Sequence, residues 1–444
     1  MLFLLAPIPK KTQLIIGGIY FATFILFLLF EKSWIDTLYG FPVHNGGDSA
    51  GYVLLAQNLL EHGTFSYSQK VPLVLEALRS PGYPLFISSV LAVFRLPEII
   101  SVLQLIFSFL TGWLVYDLLK ERLDNSWSIL GASLFWFNPT VLFYSITALS
   151  DVLFVFLEVL IFWLLWKKRN TTSYVLSSFL LGFAILVRPA GSYLGFILLV
   201  WVCILLYKDV VLKTLLKKIL LMTLTVLCVV TPWMYRNYVN FGRFEISSVG
   251  PYTLLFFSME AFRESKGESR EEIEKAWLTE IGAPSRELVS SPTYSEKTMR
   301  VFKRELFSNI YPYSLFQAKG MVQFFLGSGL SDVSNNTGST KTFLAHYKLG
   351  FVIPLLSWVE RIFMLCLFIL FITSSLFVCK DKKYRMLVFG SVAIALYMAA
   401  IVGPIPNPRY RLAALPFIII PAMYSLQHIS KKRIAYIKNN SIPK

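Results

Sequence analysis

The chain has 444 residues, of which 55% are hydrophobic and only 15% charged. A water-soluble protein of this length would have to expose that apolar excess, so the composition points to a polytopic membrane protein and excludes an ordinary soluble enzyme. The formal charge of +16 does not indicate nucleic acid, because the basic residues form no single patch.

The basic residues punctuate the apolar runs instead, at Lys10 and Lys11, Lys120 to Arg122, Lys167 to Arg169, Lys208 to Lys218, Lys380 to Arg385 and Lys431 to Arg433. Six clusters at short turns follow the positive-inside rule. Lys10 and Lys11 precede an apolar run over 14–30, which puts the N-terminus in the cytosol. No small-x-small cleavage site follows that run, so it reads as a retained anchor.

An outer loop over 31–97 comes next. It contains "GGDSAGYVLLAQNLLEHG", where Gly46 and Gly47 permit a tight turn and Asp48 can cap a helix starting at Ser49. Tyr52, Leu55, Ala56 and Leu59 share one face, and Gly63 ends the pattern, so an amphipathic helix in the headgroup plane is expected. "PGYPLFISSVLAVF", residues 81–94, is apolar but short of the roughly 20 residues a span needs. It reads as an interfacial or re-entrant helix started by Pro81 and Pro84.

Apolar runs follow at 98–119, 127–144, 152–166, 173–190, 192–207, 214–233, 351–378, 385–403 and 411–429. With the first run they make about ten spans, an all-α bundle in which every basic cluster lies on one side and both termini are cytosolic. A second outer loop covers 234–350, where "SREEIEKAWLTEI" and "SEKTMRVFKRELF" read as polar amphipathic helices with solvated charges. The expected organisation is an N-terminal transmembrane module over 1–233, an outer region over 234–350 and a C-terminal transmembrane module over 351–444. Cys203, Cys228, Cys366 and Cys379 lie within or at the ends of apolar runs and suggest no disulfide framework.

The candidate site residues gather at the outer ends of the runs. They are Asp48, Arg79 before Pro81, Asp151 at the start of "DVLFVFLEVL", Arg188 in "LVRPAG", Arg236 after "TPWMY", and Arg409 and Arg411 in "NPRYR". Taken singly, Asp48 reads equally as a helix cap, and each arginine as a side chain snorkelling to headgroups. Charges at the bilayer centre cost about 2.5–3.5 kcal/mol on insertion scales. Several arginines and two aspartates on one membrane face suit an anionic lipid headgroup beside a carboxylate: guanidinium groups bind phosphate oxygens, and a carboxylate can take the proton of an incoming hydroxyl. Glu158 is the exception, placed mid-span.

These stretches, with "RSPGYPLF", "ALSDVLF" and "NPRYRLAALP", resemble in order the GT-C fold glycosyltransferases of the protein O-mannosyltransferase and lipid A aminoarabinose transferase branch. The resemblance implies an inverting transfer of sugar from a polyprenyl-phosphate carrier to a glycan, lipid or protein acceptor. It places the site on the extracytoplasmic face of a membrane, the inner (plasma) membrane if the source is bacterial. It makes Asp48 the base or acceptor-positioning residue, Asp151 the second acidic residue, and Arg79 and Arg188 phosphate ligands. It leaves a divalent metal open, with Glu76 or His44 as contributors. The family often carries a second acidic residue after the first-loop aspartate; here Ser49 follows Asp48. A lipid-linked glycan flippase, or a polymerase or ligase of lipid-linked glycans, is the alternative reading.

Overall fold

The computed structural model describes residues 18, 36–38, 41–43, 48–68, 72–206, 211–329, 351–377, 382–404 and 407–440. The expected first run at 14–30, His44 and Cys379 lie outside these residues, Gly18 apart. Two three-residue strands, Asp36–Leu38 and Phe41–Val43, pair antiparallel ahead of the first helix. The rest is helical. Helices α1 (Asp48–His62) and α2 (Gly82–Phe94) belong to the first loop. Then come α3 (Glu98–Lys120), α4 (Asn125–Trp136), α5 (Pro139–Ile146), α6 (Asp151–Lys167), α7 (Thr171–Val187), α8 (Gly191–Leu206) and α9 (Leu212–Phe241). The second loop holds a helical stretch over 249–264, α10 (Arg270–Ile281), α11 (Ser295–Ser308) and α12 (Ile310–Leu326). Helices α13 (Val352–Phe377), α14 (Lys382–Ile401) and α15 (Arg411–Asn440) close the chain, with a 3-10 turn at Pro408–Tyr410 just before α15.

The core forms around α6. Its sequence is apolar on every side, the pattern of a helix surrounded by others, and nearly all of its residues are buried. It packs against α3, α7 and α15. Phe162 stacks on Trp201 of α8 at 4.4 Å and meets Phe417 of α15 edge-on at 5.3 Å. By contrast, α9 exposes Leu212, Leu216, Leu220, Leu224 and Leu227, and α13 exposes Leu355, Trp358, Ile362, Ile369 and Ile372. Leucines repeated once per turn on an open face need an apolar surrounding. The chain is an integral membrane protein.

Five helical segments are long and apolar enough to cross a membrane: 98–120, 212–241, 354–374, 384–401 and 408–433. The pair α4 and α5, bent by 50°, makes a sixth if taken as one span. Helices α7 and α8 are apolar but have 17 and 16 residues, and α2 has 13. The tally of ten is therefore not reached by length and composition among the described residues.

Three local departures have clear causes. The run expected at 127–144 breaks at Asn138, whose side chain accepts from the N–H groups of Thr140 and Val141 while Pro139 offers none. Helix α9 continues through Pro232 to Phe241 and stops only at Gly242, with φ of 70°. The second loop builds its own small core from Leu255, Phe256, Met259, Phe262, Trp277, Ile281, Phe302 and Tyr313.

Candidate active site

Four chain segments meet at one end of the bundle. Asp48 opens α1, Asp151 opens α6, Arg188 follows the last residue of α7, and Arg409 lies in the 3-10 turn before α15. The loop before α2 brings Arg79 beside them. That approach depends on Gly82, where a Cβ would lie 2.6 Å from the backbone of Leu186 and Val187. The Ser80 hydroxyl donates to the Val187 carbonyl at 3.1 Å and pins the same crossing.

The side chains form an alternating chain of charges. Arg79 Nη2 pairs with Asp48 Oδ1, and Arg188 Nη1 with Asp151 Oδ1. Arg409 joins the two halves. Its Nη1 lies 2.9 Å from Asp48 Oδ2, and its Nε and Nη2 each lie 2.8 Å from Asp151 Oδ2. Three arginines against two aspartates leave a local charge of +1.

Exposure divides the chain into a rim and a floor. The Asp151 side chain is 1% exposed and that of Arg409 10%, whereas Asp48, Arg79 and Arg188 are 29%, 23% and 20% exposed. Asp48 is therefore the carboxylate a ligand can reach. Burial pushes its pKa up, but the guanidinium groups of Arg79 and Arg409 outweigh that and hold it at about 2, below the ordinary 3.8. It is ionised at neutral pH.

Aromatic side chains back each guanidinium group. Arg79 lies over Tyr52, Arg188 over Phe154 and Tyr410, and Arg409 over Tyr144 and Tyr410, at 5.5 to 5.9 Å from the ring centres. Arg79 Nε also donates to the Tyr67 hydroxyl at 3.2 Å. The Tyr52 hydroxyl lies 3.2 Å from Ser150 Oγ. Sequence reasoning missed Tyr67 and gave Tyr52 and Tyr410 no part in the site. Only their proximity to Asp48 and Arg409 in the chain marked the latter two.

Two expected arginines are not in this chain of charges. Arg236 Nη1 donates to the Glu76 carbonyl and to Asn237 Oδ1, both at 2.8 Å, and its guanidinium lies over Trp233. It thus holds the segment leading to Arg79. Arg411 is 3% exposed; it donates to the Gly327 carbonyl and faces Glu360 at 3.6 Å. Glu360 in turn accepts from Ser328 Oγ at 2.7 Å and from the Gly329 N–H at 3.1 Å. Glu76 folds back on its own backbone, accepting from the N–H groups of Ala77 and Leu78. Glu158 lies two turns below Asp151, fully buried, with neither carboxyl oxygen hydrogen-bonded among the described residues.

Residues 78–235, which carry Arg79, Asp151 and Arg188, match the family described as dolichyl-phosphate-mannose-protein mannosyltransferase. The whole architecture is similar to the oligosaccharyltransferase of Archaeoglobus fulgidus. Its complex with Zn and sulfate superposes with a TM-score of 0.52 at 14% identity, covering 96% of this chain and 51% of that one. The chain has the GT-C fold. The apo form of the same oligosaccharyltransferase gives a TM-score of 0.50 at 15% identity, with 96% and 52% covered. A looser likeness, with a TM-score of 0.42 at 12% identity, links this GT-C chain to ArnT from Cupriavidus metallidurans bound to undecaprenyl phosphate, covering 97% and 80%. The chain spans about half the length of the oligosaccharyltransferase. No curated protein matches it in sequence.

Zn in that neighbour raises the question of a metal here. The aspartate pair does not fit one: each of its four oxygens already meets an arginine. No group of three His, Cys, Asp or Glu side chains stands together among the described residues.

Proposed function

We propose that the chain is an inverting glycosyltransferase that moves a sugar from a polyprenyl-monophosphate carrier to an acceptor hydroxyl on the extracytoplasmic membrane face. The alternating chain of charges carries this reading: it joins an accessible, ionised carboxylate to a local excess of guanidinium charge. The family description of residues 78–235 supports the donor class. The distribution of basic clusters supports the side of the membrane.

Arg79 and Arg188, both partly exposed, present planar donors to the carrier phosphate. Asp48 accepts the proton of the acceptor hydroxyl as its oxygen attacks the anomeric carbon. The bond from that carbon to the phosphate oxygen breaks, and the carrier leaves as polyprenyl phosphate. The arginines stabilise the charge that develops on it. Asp151 and Arg409 sit beneath and fix the geometry. Because the phosphate competes for Arg79, one of the two partners of Asp48, donor binding weakens that pairing and raises the basicity of the carboxylate when it is needed. Arg236 and Arg411 act as positioning residues.

The test is to incubate purified protein and envelope extract with radiolabelled polyprenyl-phosphate sugars, and separately with polyprenyl-pyrophosphate-linked sugars, and to identify the labelled product. Transfer by the native chain that is lost in Asp48→Asn supports the proposal. Undiminished transfer in that variant rules out Asp48 as the base, and labelling only from a pyrophosphate-linked donor overturns the donor class.

A further inference from the structure

Two carboxylates facing each other at the mouth of a helix bundle are suited to gripping a divalent cation. Here a side chain stands between them. Arg409 reaches Asp48 Oδ2 with Nη1 and Asp151 Oδ2 with Nε and Nη2, at 2.8 to 2.9 Å. The two outer oxygens are taken by Arg79 and Arg188. A dication would need those lone pairs at about 2.0–2.6 Å and would have to displace a guanidinium 10% exposed, packed near Tyr144 and Tyr410. It would also enter a cluster that already carries +1 without it.

We propose that Arg409 is the built-in cation of this site, occupying the position between Asp48 and Asp151 that a divalent ion would take and making the site metal-independent. A fixed guanidinium does three things a metal would do. It neutralises the paired carboxylates, sets the distance between them, and supplies positive charge beneath the carrier phosphate. Only the last of these rests on the proposed donor. Unlike a metal, it cannot be removed by chelation, and its planar fork holds the two aspartates in one orientation. Its cost is that Asp48 starts out fully paired.

The decisive measurement is Mn2+ binding, followed by electron paramagnetic resonance, on the full chain in detergent after EDTA treatment. The native protein is expected to hold no site-bound Mn2+. Arg409→Ala, which vacates the position, is expected to gain one Mn2+ per chain, and Asp151→Asn added to it removes the gain. Arg409→Lys keeps the charge and is expected to bind none. Native protein that binds Mn2+ and loses it on Asp151→Asn overturns the proposal, whether or not Arg409→Ala folds. A folded Arg409→Ala that takes up no Mn2+ overturns it as well. In parallel, undecaprenyl phosphate is titrated against the native chain in EDTA and in Mn2+. Equal affinity in both supports the proposal, and affinity only with Mn2+ refutes it. Lack of binding in both, with the Mn2+ results as expected, refutes the lipid-phosphate reading and leaves the fixed cation standing.

Discussion

The Ser80 hydroxyl and the Val187 carbonyl are hydrogen-bonded at 3.1 Å, and each is the chain neighbour of a site arginine, Arg79 on one side and Arg188 on the other. The first loop and the end of α7 are thereby locked together at the rim. Gly82 allows that contact, so Gly82→Val is expected to force the two backbones apart, costing about 1–3 kcal/mol as overpacking does. Thermal unfolding in detergent and undecaprenyl phosphate binding should both fall. A variant with native affinity would show that the crossing does not set the rim.

The two aspartates should separate by phenotype. Asp48→Asn keeps the shape of a partly exposed group, so the protein is expected to fold and bind donor while transfer is lost. Asp151→Asn leaves the buried Arg409 and the rim residue Arg188 short of a counter-charge, which costs about 3–5 kcal/mol where a buried pair is broken. Its unfolding temperature should drop well below that of Asp48→Asn, measured side by side.

The pH dependence follows from Asp48. Its folded pKa of about 2 lies below the ordinary 3.8, so its pairing stabilises the fold above the higher value. That contribution is lost as the pH falls through about 2. An infrared carboxyl band, assigned by its absence in Asp48→Asn, should therefore appear only in strong acid. Saturating undecaprenyl phosphate should shift it to higher pH, because the phosphate draws off Arg79. A band that does not move would show that the lipid leaves Asp48 paired.

Arginines at the rim and behind it should respond differently. Arg188→Ala removes a charge-assisted donor of about 1.5–3 kcal/mol, equivalent to roughly 10- to 100-fold in donor affinity. Arg188→Lys should recover part of it. Arg411→Ala is expected to lower the unfolding temperature by removing the cation that faces the buried Glu360, with a smaller effect on affinity in the protein that remains folded. Equal losses of affinity in both alanine variants would argue against the division.

Much of this was legible in the sequence because charge stands out against an apolar background. Asp48, Arg79, Asp151, Arg188 and Arg409 each interrupt or flank a greasy run, and all five meet in space. The sequence could not tell Arg409 from Arg411. Two residues apart near a 3-10 turn, they project from different sides. One meets the aspartates and the other Glu360. Tyr67 was invisible because it lies in an irregular segment with no period to place it. The break at Asn138 and the persistence of α9 through Pro232 show the same limit. Proline starts a helix where a capping side chain stands beside it, and is absorbed where the helix can forgo one hydrogen bond.

The same 3-10 turn has a mechanical consequence. Arg411, directly after it, holds the Gly327 carbonyl at the end of α12, and Arg409 in its middle is wedged between the aspartates. The end of α12 and the aspartate pair are thus tied to two side chains only two residues apart. A shift of either one must therefore be met by the other, because so short a segment has no slack in which to absorb it.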